Sequence, residues 1–367
     1  MAIKCGVVGM GPIGNSHANC YKNDELSELV AVCDINRERA DKAAADFGVK
    51  AYYRLKDMVD GNPEMDVVSI CTSGYENGSM HFEPAMEALG YGKKVLCEKP
   101  LCSDIRDTRE LVAYAAKNKL VLGCNLNHYF TTVAEKAMGL INAGEIGELV
   151  YCLHKVGFNG SETGYGGVGD PKSRWLKPYS HCKAFLTHPF SVMRHFCGDI
   201  SHIQAFLDRP GVRKTAGDPM LSICSVNCKF VNGGAGVLIS QRGDANFGLG
   251  GWWSYEHAGT RGTFCIENCV EKLHYWPGSK AIGQGSSGSE VTDTGLKDFG
   301  GTFPSRIHAW LEDLSNNVHY EFIRASGRDA LATMEYIEAV ITSYLNGGEL
   351  VQPHALPPIH GTPEYIH

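Results

Sequence analysis

Three glycines near the start of the chain have the spacing of a phosphate-binding turn. Gly9-Met10-Gly11-Pro12-Ile13-Gly14 follows an apolar run and precedes a helical pattern. Gly9 permits a tight turn, Gly11 lets a pyrophosphate approach the backbone, and Gly14 lets the helix pack closely on a sheet. The N–H groups that begin this helix would bind the phosphates. The spacing therefore predicts a dinucleotide site formed by Gly9, Gly11, Pro12, Ile13 and Gly14.

An acidic residue at the end of the next apolar run fits the same site. Asp34 follows Gly14 by 20 residues, which is the distance expected for a carboxylate that binds the ribose 2′-hydroxyl. The same carboxylate would repel a 2′-phosphate, so NAD is favoured over NADP. Arg37 leaves an alternative open, because its guanidinium could bind a phosphate or could be a solvated side chain of the first helical turn.

The elements that must position these residues alternate between short apolar strands and helical patterns up to about residue 125. This alternation predicts a parallel, doubly wound sheet, which binds ligands at the carboxyl ends of its strands. Cys71, Thr72 and Ser73 end one of these strands, and we expect them near the nicotinamide ribose. After about residue 130 the strands are separated by turns, which predicts a mainly antiparallel sheet. Two long glycine-rich loops, Gly157–Arg174 and Pro277–Gly295, are typical of lids, binding loops or disordered segments.

The composition excludes several classes of protein. The chain has 367 residues and a formal net charge of −7, and this acidic balance argues against binding to nucleic acid. No stretch approaches the ~18 uncharged apolar residues of a membrane span. The fourteen cysteines lack the pattern of a disulfide scaffold or a structural zinc site, so we expect reduced and mostly buried thiols. We therefore expect a cytoplasmic protein that binds neither nucleic acid, membrane nor metal.

The segment Cys97-Glu98-Lys99-Pro100 connects these observations to a known family. A Rossmann fingerprint followed by a strand and Glu-Lys-Pro resembles the glucose–fructose oxidoreductase/inositol dehydrogenase/MocA family. The likeness covers nearly the whole chain and includes the segments GVVGMGPIG, CDINRERA, DVVSICT, VLCEKPL, THPFSVMRHFCGD, YEHAGTRGTFCIEN and SGRDALATMEYIEAVITSYLNGG.

The resemblance implies a fold and a division into domains. We expect an α/β protein in which residues 1–125 form an NAD-binding Rossmann domain with a doubly wound parallel sheet. Residues 126–367 would form a substrate-binding and oligomerisation domain with a large open, mainly antiparallel sheet, a C-terminal helix and an extended tail. The family forms oligomers through the sheet faces, so a homo-oligomer is expected.

Lys99 is the first candidate for catalysis. It follows a buried strand at the edge of the sheet where ligands bind, and a lysine there can stabilise negative charge on oxygen or act as a base when burial lowers its pKa. Glu98 would orient Lys99 or the nicotinamide ribose. Pro100 is expected to fix an unusual Lys-Pro bond, with cis as one possibility. The alternative is that Lys99 only pairs with Glu98 or with solvent.

His188 is the second candidate, and it stands in an incomplete motif. Sugar dehydrogenases of the family carry Asp-x-x-x-His on one helix face. Here the histidine matches His188, but Ala184 stands in the place of the aspartate. We expect His188 to act as a general base or to bind the substrate, and we expect a helix that starts near Thr187 with Thr187 as its N-cap. A metal site formed by His181, Cys182 and His188 is disfavoured because no carboxylate joins them.

Several other residues are candidate substrate contacts. His181 and Lys183 lie beside the vacant aspartate position, although they could also belong to a solvated cationic stretch. Asn127 and His128 follow the last Rossmann strand, where hinge packing is an equal alternative. Aromatic faces suit sugar rings or flat aglycones, which makes Tyr165 and Trp175 candidates as well.

The resemblance implies an NAD-dependent oxidoreductase that oxidises a secondary ring hydroxyl of a sugar or glycoside to a ketone. We expect oxidation at C3, because chains of this type resemble enzymes that oxidise a glycoside's 3-hydroxyl during deglycosylation, including bacterial C-glycoside catabolism. Two alternatives stay open. One is a redox-assisted glycosidase that retains NAD, and the other is a non-catalytic NAD-binding regulator, which the missing aspartate favours slightly.

Overall fold

The computed structural model describes residues 2–73, 80–158, 177–215, 217–242, 251–278 and 288–353. These residues form two compact units. Of the described residues, the first contains the chain up to Asn127 together with Phe303–Met334, and the second contains His128–Thr302 and residues 335–353.

The first unit contains a six-stranded sheet in which every neighbouring pair of strands is parallel. Its strands are β1 Ile3–Val8, β2 Ser27–Cys33, β3 Lys50–Tyr52, β4 Val67–Ile70, β5 Lys94–Cys97 and β6 Leu122–Cys124. The order β3-β2-β1-β4-β5-β6 reverses direction between β1 and β4, and such a reversal marks the ligand-binding edge of an open α/β sheet. The predicted Rossmann sheet is confirmed.

Helices connect these strands. They are α1 Pro12–Asn23, α2 Arg37–Phe47, α3 Leu55–Gly61, α4 Phe82–Gly90 and α5 Ile105–Lys117. Local sequence sets several of their starts. The Asn36 side chain accepts a hydrogen bond from the Arg39 N–H at the start of α2, and the Asp104 side chain accepts one from the Arg106 N–H at the start of α5. These caps satisfy N–H groups that the first helical turn leaves unpaired.

The first unit is completed by a segment from late in the chain. Helix α10, Thr302–Ser315, contributes the fully buried Trp310 to the core that includes Cys5 and Val7. A Cβ on Gly123 would lie 2.7 Å from the Trp310 ring, so glycine is what allows this close approach. Ser326 forms a β-bridge with Gly123 and thereby covers the outer edge of β6. The domain division predicted from the sequence placed residues 303–334 in the second domain, because no local pattern marks the return of the chain to the first sheet.

The second unit contains an eight-stranded sheet of order β14-β13-β12-β11-β7-β10-β9-β8. Only β7 and β10 pair in parallel, and the other pairs are antiparallel, so the mainly antiparallel sheet is confirmed. The strands are β7 Leu149–Phe158, β8 Ile200–Asp208, β9 Ile223–Phe230, β10 Ala235–Arg242, β11 Trp253–Gly259, β12 Gly262–Glu267, β13 Lys272–Pro277 and β14 Glu290–Asp293.

Helices pack on this sheet and leave apolar side chains exposed elsewhere on it. The helices are α6 Thr132–Asn142, α7 Ser180–Phe185, α8 Thr187–Cys197 and α9 Gly211–Thr215, and α11 Gly327–Leu345 runs from the first unit into the second. Helix α8 packs against β7, and α6 packs against β12 and β13. Side chains alternate between the two faces of a strand. On one face of β7, Tyr151 and Leu153 are 40% and 45% exposed, whereas Cys152 and His154 on the other face are buried.

Thirteen of the fourteen cysteines are buried and Cys265 is half-buried, as the apolar runs around them predicted. Within the described part of the chain, no helix combines the length and apolar character needed to cross a membrane.

Candidate functional site

The glycine turn between β1 and α1 has the geometry of a phosphate cradle. Gly9 has φ +92°, and a Cβ there would lie 2.7 Å from the Cys71 backbone. A Cβ on Gly14 would lie 1.9 Å from the Gly9 carbonyl oxygen. At Gly11 a Cβ would meet no atom within 4 Å, and no side chain caps the start of α1 at this residue. The turn is therefore closed where it packs on the protein and open at Gly11, which fits the pyrophosphate of a dinucleotide.

Asp34 is fixed at the end of β2 by two backbone hydrogen bonds. Its carboxylate accepts from the Met10 N–H at 2.7 Å and from the Asn36 N–H at 2.8 Å, which ties the carboxylate to the glycine turn. The guanidinium of Arg37 lies over the Tyr53 ring at 4.1 Å. This cation–π contact is a third possible role for Arg37, because it holds the side chain in place without any phosphate.

The adjacent Ile35 was missed at the sequence level. Its side chain is 92% exposed, although the neighbouring Asp34 is buried. The signal was available in the sequence, because Ile35 follows Asp34 directly where the strand ends and the helix has not begun.

Glu98 is the centre of a buried polar network beyond the end of β5. Its Oε1 accepts a hydrogen bond from His17 Nε2 at 2.9 Å and another from the Asn125 amide, and its Oε2 accepts from the Lys99 N–H at 3.2 Å. His17 Nδ1 lies 2.8 Å from Ser69 Oγ. His17 was not identified from the sequence, because its partner lies 81 residues away in the chain.

The protonation of this network follows from its contacts. Burial disfavours a charge on His17, but interactions with Cys71 and with Glu98 outweigh it and raise the pKa of His17 to about 10. Burial likewise raises the pKa of Glu98, yet the His17 hydrogen bond and charge, together with the charge of Lys99, hold that pKa below its ordinary value. His17 and Glu98 therefore form a buried ion pair.

Lys99 follows Glu98 directly and begins a cis peptide bond to Pro100, the unusual bond that the sequence predicted. The side chain of Lys99 is half-buried. The buried His81, at the start of α4, lies between two carbonyl oxygens: its Nδ1 is 2.8 Å from that of Pro100 and its Nε2 is 2.6 Å from that of Thr72. His81 therefore links the end of β4 to the segment that carries Lys99. Burial lowers the pKa of His81.

The second unit places His188 in the first turn of α8, and the local geometry corrects one expectation. Helix α8 begins at Thr187, but its N-cap is Leu186 rather than Thr187. Leu186 has helical dihedral angles and is also the C-cap of α7, so the two helices follow each other almost without a break. Pro189 is accommodated because the first turn of a helix does not need its N–H groups.

The ring of His188 stacks on the ring of His128. The ring centroids are 3.7 Å apart with an interplanar angle of 10°. Both side chains are buried, with 5% and 2% of their surfaces exposed. The ring of Phe299 contacts the His128 ring edge-on, and the two ring centroids lie 4.8 Å apart. The sequence singled out both histidines separately but did not predict that they touch.

His181 and Lys183 lie on α7, one turn before α8. His181 is fully buried, its Nε2 is 3.0 Å from Ser240 Oγ, and its ring stacks on Phe185 at 5.6 Å. Burial, reinforced by the charges of Arg242 and Arg213, lowers the pKa of His181 well below its ordinary value. Lys183 is half-buried, and Lys177 earlier in the same segment is exposed.

The remaining candidates are distributed as follows. Asn127 is 1% exposed and begins a short 3-10 turn, Asn127–Tyr129. Cys71 lies against Gly9, and Thr72 donates a hydrogen bond to the Met80 carbonyl at 2.8 Å. Ser73 is exposed. Tyr165 and Trp175 lie outside the described residues.

A class of protein is defined by the parallel sheet and its glycine turn: a Rossmann-fold dinucleotide-binding protein. Residues 3–126 match the family model described as an oxidoreductase family with an NAD-binding Rossmann fold. Over these residues the chain is similar to the glucose–fructose oxidoreductase/inositol dehydrogenase/MocA family, as its motifs predicted.

Named relatives match the same part of the chain. Inositol 2-dehydrogenase of Pseudomonas syringae pv. syringae is 32% identical over 160 residues, which cover 42% of this chain and 46% of the relative. Glucose-6-phosphate 3-dehydrogenase of Bacillus subtilis is 27% identical over 147 residues, 40% of each chain. The matches thus span less than half the length of these curated relatives.

A solved structure extends the likeness to both units. A levoglucosan dehydrogenase in complex with NADH superposes with a TM-score of 0.81 at 20% identity, over 96% of this chain and 100% of that one. At this level of identity the likeness establishes the fold.

Proposed function

We propose that this protein is an NAD-dependent dehydrogenase that oxidises a secondary ring hydroxyl of a sugar or glycoside, at C3, to a ketone. The observation that carries the proposal is the pairing of an open glycine cradle with a lysine at the carboxyl end of the same parallel sheet. The names of the relatives support the substrate class, since they act on inositol, levoglucosan and the 3-position of glucose 6-phosphate. NAD⁺ would accept the hydride released from the carbon that bears the hydroxyl.

The first unit would hold the cofactor with residues whose geometry suits each of its parts. The glycine turn would bind the pyrophosphate, with Gly9 and Gly14 shaping the turn and Gly11, Pro12 and Ile13 facing the phosphates. Asp34 would accept hydrogen bonds from the adenosine ribose, because each of its oxygens keeps a lone pair beyond the two backbone contacts. The exposed Ile35 would pack against the adenine. Cys71, Thr72 and Ser73 would lie along the nicotinamide ribose.

Lys99 would supply the positive charge that the reaction needs. A hydroxyl that loses hydride from its carbon must also lose its proton, and an ammonium group stabilises the negative charge that develops on oxygen. Glu98 is bound to His17 and to the Lys99 backbone, so its role is to orient Lys99 rather than to react. His17 and Lys99 both contribute positive charge that stabilises the Glu98 carboxylate.

His188 would act as the general base or as a hydrogen-bonding partner of the substrate. An imidazole is suited to this role because its ordinary pKa lies near neutral pH. His181, Lys183, Asn127 and His128 are proposed as further substrate contacts. Tyr165 and Trp175 are proposed to stack on the sugar ring or on an aglycone.

The large sheet would carry self-association in the cytoplasm. Tyr151 and Leu153 on β7 and Phe206 on β8 are 40% to 55% exposed, and large apolar side chains on an open sheet are typical of an interface. A second copy of the chain would cover them, and the functional protein would be a homo-oligomer.

The proposal is tested by NADH formation with a panel of free sugars, inositols, O-glycosides and C-glycosides. We expect NADH in equal amount to a ketone, which NMR would locate at C3. Net hydrolysis of a glycoside without accumulation of NADH would instead support a redox-assisted glycosidase. Absence of hydride transfer with every member of the panel would support a regulator and refute the proposal.

Variants identify the residues responsible. Lys99→Ala is expected to lower kcat by roughly 10²- to 10⁴-fold while NAD still binds, measured by calorimetry. Lys94→Ala is the matched control, because Lys94 lies at the opposite end of β5 and its 4.0 Å contact with Asp66 is exposed. The assignment of Lys99 is wrong if the two variants have the same turnover.

A further inference from the structure

We propose that His128 is the positioning residue of His188, and that stacking keeps at least one of the two rings neutral and fixes the imidazole that meets substrate. The inference deepens the proposed function and rests on it for the role of His188. In this inference the His128 ring takes the place of the aspartate that is replaced by Ala184. The observation that carries it is the stacking of the two rings, whose centroids lie 3.7 Å apart with an interplanar angle of 10°.

The stack is held from both sides. The carbonyl of His128 accepts a hydrogen bond from the Cys269 thiol at 3.6 Å. The edge of Phe299 lies 4.8 Å from the His128 ring, and the ring of Trp252 lies at 6.4 Å. On the other side Phe185 meets the His188 ring edge-on at 6.0 Å. Rotation of either imidazole would remove it from its partner and drive it into an aromatic neighbour, so each ring restricts the orientation of the other.

The stack also controls charge. Two imidazolium rings in face-to-face contact repel each other strongly in a buried site, whereas a neutral ring accepts a neutral or a cationic neighbour. The pair therefore takes up its two protons in separate steps. Between these steps one ring is neutral and able to accept a proton from a hydroxyl, which is the state that a general base requires. A carboxylate partner would act in the opposite direction by favouring the charged imidazole.

The surrounding titratable groups do not reverse this effect. His154 on β7 reaches the pair through Trp253, and burial lowers its pKa to about 3, so it is neutral. His181 on α7 contacts Phe185 and is neutral as well. The cations on the neighbouring elements include Lys183 of α7, Lys155 of β7 and Arg194 of α8, which pairs with Asp199. Arg242 at the end of β10 has its guanidinium 6.0 Å from the Phe185 ring. Positive groups disfavour a second proton on the pair.

The test that needs no substrate is an NMR titration of the histidine Cε1–H signals in the whole protein. His188→Gln identifies the signal of His188. In the wild type we expect that signal to respond in two steps separated by about one pH unit or more. His128→Phe keeps an aromatic ring in the stack but removes its titration, so a single step is expected. His202→Phe, a half-buried histidine on β8, is the control and should leave both steps in place.

Kinetics provide a second measurement, the pH profile of kcat/KM, which would not change if His128 had only a structural role. His128→Phe is expected to shift the acid limb of the pH profile of kcat/KM, while His128→Ala, which removes the stack, is expected to lower kcat roughly tenfold or more at all pH values. Identical single-step titration of His188 in wild type and His128→Phe overturns the inference, as does the absence of any titration of the pair above pH 5. Two steps in a protein that transfers no hydride would refute the proposed function and leave the coupled pair established.

Discussion

Replacing His17 by glutamine measures how much the buried ion pair between His17 and Glu98 contributes to the free energy of unfolding. Glutamine can still hydrogen-bond to Glu98 and Ser69 but carries no charge, so the buried Glu98 carboxylate would lose the positive charge of its ion-pair partner. Breaking a buried ion pair by removing one partner costs about 3–5 kcal/mol, and the rise of the His17 pKa to about 10, to which Cys71 contributes along with Glu98, agrees with this in direction. A loss of this size lowers the thermal midpoint of a unit of this length by roughly 10 °C or more.

The pH dependence gives the prediction its sign. Because the folded protein raises the pKa of His17, its contribution to stability is complete below pH 6.5 and is lost as the pH rises toward 10. The depressed pKa of Glu98 adds a contribution that is present above its ordinary pKa of 4.5 and is lost under acidic conditions. The difference in stability between wild type and His17→Gln should therefore be large at pH 6 and should shrink by more than half at pH 9.5.

The assay is urea or thermal unfolding at the two pH values, followed by circular dichroism. His308→Gln is the matched control in the same unit, because His308 contacts Asp24 at 2.8 Å but is 40% exposed, and exposed pairs contribute less than about 1 kcal/mol. A His17→Gln defect that is equal at pH 6 and pH 9.5 would refute the charged state assigned to His17. A defect no larger than that of His308→Gln would refute the importance of the pair.

Three further outcomes follow from the geometry. Gly14→Ala places a Cβ 1.9 Å from the Gly9 carbonyl and should weaken NAD binding by roughly 100-fold in calorimetry, whereas Gly139→Ala, with nothing within 4 Å of the new Cβ, should bind NAD normally. Asp34→Ala should lower NAD affinity and raise the ratio of NADP to NAD affinity, and an unchanged ratio would show that Asp34 does not read the ribose. Leu153→Glu should shift the protein to a smaller species in analytical ultracentrifugation, while an unchanged sedimentation coefficient would contradict the proposed interface.

The features that the sequence predicted are those encoded within a few residues. The glycine spacing, the strand before it and Asp34 specify a turn whose geometry depends on neighbours in the chain, and the structure has that turn. The same holds for the unusual bond between Lys99 and Pro100. The parallel and antiparallel sheets were predicted because helices or turns between apolar strands distinguish the two arrangements.

The features that could not be predicted depend on contacts between distant residues. No spacing in the sequence indicates that Trp310 of α10 meets Gly123. Two buried histidines look alike in a sequence, yet His17 pairs with a carboxylate and His128 with another imidazole. In each case the partner is chosen by the packing of whole elements, which no local spacing encodes.

The late segment that completes the first unit has a consequence for synthesis. The core of the parallel sheet receives Trp310, and the edge of β6 is covered at Ser326, only after roughly 200 further residues have been made. At about 5–20 residues per second this takes roughly 10–40 s. During that interval the nascent chain presents an unpaired strand edge and an unfilled apolar groove, both of which favour aggregation. The speed of translation and the chaperones that meet the chain therefore act on this protein most strongly before residues 303–334 have emerged from the ribosome.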